Sequence, residues 1–175
     1  VERYGPKGDL ILKALEENPR DSVVLVCDLD IRFFKPIAPI VDLYATMRPD
    51  ADVVFQRDDD FNVNANLGFM ALRCRDHVVE FFKQVAKMAT SYASGETGAY
   101  KGGDQKIVNV ALRNSARFPT LPRIKFALFP TELMTRSIDQ QRGMLYKHEA
   151  NSVLYHVNDF GSATISPAKA RRTKV

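Results

Sequence analysis

Apolar and polar positions along the chain fall into two periods. Over residues 6–18, PKGDLILKALEEN, Leu10, Ile11, Leu12, Ala14 and Leu15 form a broad apolar face at helical spacing, and Pro19 marks the stop. Val23 to Cys27, VVLVC, is apolar without alternation. That pattern predicts a strand covered on both faces, as the strands of parallel sheets are. Ile31, Phe33 and Phe34 stay apolar beyond two acids, and Pro36 and Pro39 punctuate a turn. Pro39 suits the first turn of a short helix reaching Met47.

The same reading continues downstream. Asp52 to Gln56 predicts a second strand with polar ends, followed by a polar loop, RDDDFNVNAN. Leu67 to Leu72 predicts a further buried strand. Asp76 suits the cap of a helix to about Tyr92, with Val79, Phe82, Val85, Ala86 and Ala89 at helical spacing. The glycines of residues 94–103 predict a loop. Asp104 opens a helix bearing Ile107, Val108, Val110, Ala111 and Leu112, and residues 124–129 and 153–157 predict two more strands. Strands alternating with helices predict an α/β fold with a mainly parallel twisted sheet flanked by helices. No repeat or linker divides the chain, so a single domain is expected over residues 1–165, with a basic tail at 166–175.

Composition changes this picture little. The chain has 175 residues, 45% of them hydrophobic and 26% charged, with a net charge of +4. Those are the proportions of an ordinary globular protein with a sizeable core. No apolar run approaches the roughly 18 residues of a membrane span. The tail AKARRTKV carries Lys169, Arg171, Arg172 and Lys174 without an acid, which suits a solvated end or contact with an anionic partner. No helix-turn-helix or RNA-binding signature accompanies it, so nucleic acid is not expected as a partner. The two cysteines, Cys27 and Cys74, lack metal or redox spacing, and Cys27 is expected to be a small buried hydrophobe. A reducing compartment, the cytoplasm, is the default. The chain opens on Val1, so the expectation is that an upstream segment is missing; an anchor there would place the protein in a secretory lumen.

The chemistry concentrates where the first strand ends, in VVLVCDLDIRFF. If the backbone stays extended, Asp28 and Asp30 point to one side with Cα atoms about 6.6 Å apart, and Leu29 points to the other. Two carboxylates so close repel, the more so beside a low-dielectric core. A divalent cation removes the conflict, and Mg²⁺ or Mn²⁺ favours such oxygen ligands shared with phosphates. A solvent-exposed strand end would also tolerate both acids without any ligand.

VVLVCDLDIRFF resembles the D-x-D segment of the GT-A fold glycosyltransferases. VVFQRDDDFNVNANLGFMAL, GGDQKIVNVAL and LYHVND are similar, in order, to the N-x-G-F-M strand, the D-Q-x-x-x-N helix and the late histidine segment of the nucleotide-diphospho-sugar transferase family. The helix of residues 6–18 resembles the one preceding the D-x-D strand. The resemblance spans roughly residues 6–160 and lacks the family's first strand, whose turn cradles the nucleotide base.

The resemblance implies a hexosyl- or pentosyltransferase that moves a sugar from a nucleotide-diphosphate donor to a glycan, protein or small-molecule acceptor. It implies that Asp28 and Asp30 hold Mn²⁺ or Mg²⁺ against the donor's phosphates, with His156 as third ligand. Asn64, Asn66 and Gly68 are implied as one wall of the sugar pocket. Asp104 and Gln105 face the sugar and acceptor, although Asp104 is equally suited to capping its helix. Lys7 is either a phosphate ligand or a surface lysine. Asp58, Asp59 and Asp60 are expected to be a solvated turn, and His77 and His148 surface residues. Two other readings remain open. One is a haloacid dehalogenase-type phosphohydrolase with Asp28 as nucleophile. It sits poorly with Arg32 and with a helix ahead of the motif. The other is a non-catalytic binding module.

Overall fold

The computed structural model describes residues 6–57, 64–93, 104–113, 118–130, 134–136 and 153–156. The loop at 94–103, the acidic turn Asp58–Asp60, His148 and the basic tail lie outside the described residues.

The first helix, α1 (Pro6–Glu17), opens on a proline, whose missing N–H costs nothing there. It buries Ile11, Leu12 and Leu15 and leaves Leu10 exposed, so its apolar face is narrower than the sequence pattern. Asn18 closes it by donating to the Ala14 carbonyl at 2.7 Å. The chain reverses through Asp21, which takes a left-handed φ of 64°. Strand β1 (Val23–Cys27) follows, then β2 (Ile31–Phe33), α2 (Ala38–Met47), β3 (Val53–Arg57), β4 (Ala65–Arg73) and α3 (Asp76–Ala93). The remaining elements are α4 (Asp104–Arg113), β5 (Phe126–Leu128), β6 (Met134–Arg136) and β7 (Leu154–His156). Among the described residues no helix is long and apolar enough to cross a membrane.

Four strands form a mixed sheet in the order β1-β4-β3-β5. β1, β3 and β5 run one way and β4 runs against them, pairing antiparallel with both neighbours. The α/β class holds, but the reason for the apolar run of β1 differs from the expectation. Its pairing with β4 is antiparallel, not parallel. Both faces are apolar because both are covered. Val24 and Val26 join a core with α1, α3 and α4, while Val23 and Leu25 pack against α2 and Phe129 on the other side. A second sheet, β2-β7-β6, stands beyond the end of β1. The apolar residues after the two acids therefore belong to a different sheet from the strand before them.

The two cores are anchored at the far end of the sheet by Asp52, only 4% exposed. Its carboxylate accepts from the Lys125 amide at 2.8 Å and from Arg75 at 3.0 Å, and His77 Nε2 lies 3.0 Å away. Burial raises the pKa of this acid, but the Lys125, His77 and Arg75 hydrogen bonds outweigh it and hold the group below the usual carboxylate range. The His77 side chain, 41% exposed, reaches this buried carboxylate from the surface.

Candidate active site

Strand β1 does not remain extended through its acids. Its ladder with β4 ends at the pair Cys27–Phe69, and the Asp28 amide donates once more, to the Gly68 carbonyl at 2.8 Å. The chain then leaves for the second sheet, and the Ile31 amide donates back to the Asp28 carbonyl at 3.3 Å. Asp28 and Asp30 therefore occupy corners of a turn, with Leu29 fully exposed at its tip. The extended geometry expected from the sequence fails where the β4 amides of Gly68 and Leu67 turn to side-chain acceptors, Asn66 Oδ1 and Gln105 Oε1, in place of β1. The repulsion between the acids is eased from elsewhere. Lys7, in the first turn of α1, places its Nζ 2.7 Å from Asp28 Oδ1, both side chains about one-third exposed at 29% and 34%. Cys27, beside this turn, is exposed and not buried as expected. Partial burial of the thiol, and then the Asp28 charge, push its pKa up, which keeps it protonated at neutral pH.

Gly68 receives Asp28 as the next step of the regular β1–β4 register, whereas against β3 the same strand is irregular. Phe55 pairs with Met70, but the next residue, Gln56, pairs with Asn66, so β4 carries extra residues between. The bulge switches faces: Ala65 and Leu67 share a core with Met70 and Leu72, although strict alternation would separate them. The Gly68 amide, turned out of the ladder, donates to Asn66 Oδ1 at 2.7 Å. Asn66 is 5% exposed, so its carbonyl oxygen holds the bulge from inside. Asn64 precedes the strand and is half-buried.

Helix α4 is fastened to the same bulge. Asp104 Oδ1 accepts from the Gln105 amide at 2.8 Å, satisfying one of the free N–H groups of the first turn. Gln105 Oε1 accepts from the Leu67 amide at 3.3 Å. One turn on, Asn109 Oδ1 accepts from the Ala65 amide at 2.8 Å, and its Nδ2 donates to the Ala65 and Gln105 carbonyls at 2.7 and 2.9 Å. Asn109 thus serves β4 as a strand partner would. Asn109 is the asparagine of the D-Q-x-x-x-N segment; the sequence reading gives it no role, although its i+4 spacing from Gln105 on one helix face is legible.

These contacts bring the acidic turn, the bulge and the start of α4 to one end of the sheet. A cleft of about 200 Å³ is lined by Lys7, Leu67 and Asp104, with Ile11, Phe82 and Val108 as an apolar floor. Residue 156 lies in β7 opposite Ile31, three residues beyond Asp28; its side chain is outside the described part. Among the described residues no group of three His, Cys, Asp or Glu side chains is placed to hold a metal ion. The turn itself presents two partly exposed carboxylates, the hard oxygen donors that Mg²⁺ and Mn²⁺ take, so it fits such an ion with further ligands to be supplied.

A family profile described as nucleotide-diphospho-sugar transferase matches residues 19–160. No curated protein sequence matches the chain. Solved structures share the fold at low identity. Mouse xyloside xylosyltransferase 1, in its apo form, superposes with a TM-score of 0.53 at 14% identity, over 87% of this chain and 63% of that one. The galactosyltransferase LgtC, in complex with donor and acceptor sugar analogues, gives 0.51 at 14% identity, over 85% and 57%. The glycosyltransferase GlyE of Streptococcus pneumoniae TIGR4 gives 0.52 at 14% identity, over 83% and 36%. The chain therefore spans less than two thirds of the length of each of these three.

Proposed function

The chain belongs to the nucleotide-diphospho-sugar transferase family, and on that premise we propose that it transfers a hexosyl or pentosyl group from a nucleotide-diphosphate sugar to a glycan, protein or small-molecule acceptor. The observation that carries this reading is the hydrogen bond from the Asp28 amide to the Gly68 carbonyl. It joins the acidic turn to the bulge that Gln105 and Asn109 tie to α4. Family membership also weighs against the phosphohydrolase alternative.

Asp28 and Asp30 hold Mn²⁺ or Mg²⁺ in this proposal, with His156 as a further ligand. Bound there, the ion supplies Lewis-acid stabilisation for the departing nucleotide diphosphate. Asn64, Asn66 and Gly68 form one wall of the sugar pocket. The Asn66 oxygen that holds the bulge is already engaged, so the contribution of Asn66 to the wall is chiefly to shape backbone. Asp104 lies on the cleft that Lys7 also lines, which suits a carboxylate facing the sugar and acceptor. Gln105, bonded to the Leu67 amide, orients that wall.

Calorimetry with Mn²⁺ and a panel of nucleotide sugars tests the proposal. Binding of one donor that needs Mn²⁺ and is lost in Asp30→Ala is the expected result. No donor binding with Mn²⁺, or unchanged metal binding in Asp30→Ala, would refute it and favour a non-catalytic module.

A further inference from the structure

The ion pair between Lys7 and Asp28 conflicts with the metal role of Asp28. Lys7 Nζ lies 2.7 Å from Oδ1 of the carboxylate that the cation would take. A metal ion bound to Asp28 at about 2.1 Å would stand roughly 4 Å from that ammonium. Two cations on one carboxylate repel, so the sites compete. The pair is also costly in neither direction: both side chains are about one-third exposed, the range in which ion pairs contribute little and exchange readily. Lysine has a flexible four-carbon stem and a compact charge, so it can re-aim without moving its helix. Lys7 also lines the cleft shared with Leu67 and Asp104, so its ammonium has a polar-ended space to enter.

We infer that Lys7 is a displaceable counter-ion: it neutralises Asp28 in the metal-free protein, must leave Asp28 for the cation to bind, and then pairs with the donor's diphosphate. This inference rests on the metal site proposed for Asp28 and Asp30. Among the described side chains no third acidic or imidazole ligand joins the two carboxylates of that turn, and His156 is the further ligand of the proposed site. A metal ion entering alone has to displace Lys7 and brings it no new anionic partner. An ion entering with a diphosphate gains phosphate oxygens and gives Lys7 a new anionic partner. The two ligands therefore bind cooperatively, and Lys7 is the element through which they do so.

Pyrophosphate is the appropriate probe, because it carries the diphosphate without a base or sugar. Calorimetry at low salt on the wild-type chain, Lys7→Met and Lys7→Arg reads Mn²⁺ affinity with and without pyrophosphate. Lys7→Met is expected to bind Mn²⁺ alone about fivefold more tightly than wild type, from loss of a partly exposed competing pair. It is expected to bind Mn²⁺-pyrophosphate about tenfold more weakly, from loss of one charge-assisted bond. Lys7→Arg keeps the charge and is expected to restore both values toward wild type. If Lys7→Met leaves Mn²⁺ affinity unchanged and only lowers stability, Lys7 merely fastens α1 to β1 and the inference is overturned. If Lys7→Met does not fold, the ¹⁵Nζ resonance of Lys7 in wild-type protein decides. It is expected to shift on adding Mg²⁺ with pyrophosphate, and an unmoved resonance overturns the inference. Failure of the wild type to bind Mn²⁺ even with pyrophosphate refutes the metal site itself, a different result from any of these.

Discussion

Replacing Asn109 with alanine would cut the joint between α4 and β4. The Asn109 side chain makes three hydrogen bonds, one accepted from the Ala65 amide and two donated to the Ala65 and Gln105 carbonyls. Alanine removes all three and leaves both backbone groups of Ala65 without that partner. Ala65 is fully buried, and an orphaned buried backbone group costs about 1–3 kcal/mol. Asn109 itself is only half-buried, so water reaches the gap and the lower end of that range applies to each group. The expected loss is about 2–3 kcal/mol. Urea unfolding followed by circular dichroism measures it as a fall in midpoint at unchanged slope. Asn109→Asp sharpens the test, because it keeps an acceptor for the Ala65 amide but sets a carboxylate oxygen against two carbonyls. Its deficit is expected to shrink as pH falls and the new carboxyl protonates into a donor. A loss under 1 kcal/mol for alanine, or a pH-independent deficit for aspartate, would show that the clamp does not hold the helix.

Asp52→Ala is expected to destabilise the protein by about 3 kcal/mol, because Arg75, His77 and the Lys125 amide lose a buried partner. The folded-state pKa of Asp52 is depressed below its ordinary 3.8, so its contribution is complete above that value and is lost as pH falls through the lower folded pKa. Acid unfolding of Asp52→Asn, compared with wild type, is expected to lack that segment of the pH dependence. Cys27 is exposed with a raised thiol pKa, so its alkylation by iodoacetamide is expected to be slow at pH 7.5 and still rising above pH 9; a plateau below that pH would contradict the burial argument. Leu29→Ser at the tip of the acidic turn is expected to change unfolding stability by less than about 0.5 kcal/mol, as for exposed positions; a larger loss would mean that this leucine is covered.

Much of the architecture was legible locally. Helical spacing of Ile11, Leu12 and Leu15 located α1, and Asp76 and Asp104 marked the starts of α3 and α4 as read. The D-x-D pair and the D-Q-x-x-x-N segment were visible as patterns. Less legible were the parts that depend on which strand lies beside which. β6 was missed, and β2 was not separated from β1, because three-residue strands carry too short a period to register.

By itself, the order of residues determined where segments become helix or strand and which residues carry charge at the end of β1, since propensity and periodicity act over a few residues. The tertiary structure decided what those charges meet. It inserted β4 between β1 and β3, set Gly68 against Asp28 in the β1–β4 register, and carried Lys7 across 21 positions to the same carboxylate. It also joined His77 and Arg75 to Asp52. Each of these is a contact between distant segments, selected by covering both faces of one sheet, and no local period encodes which partner a strand will take.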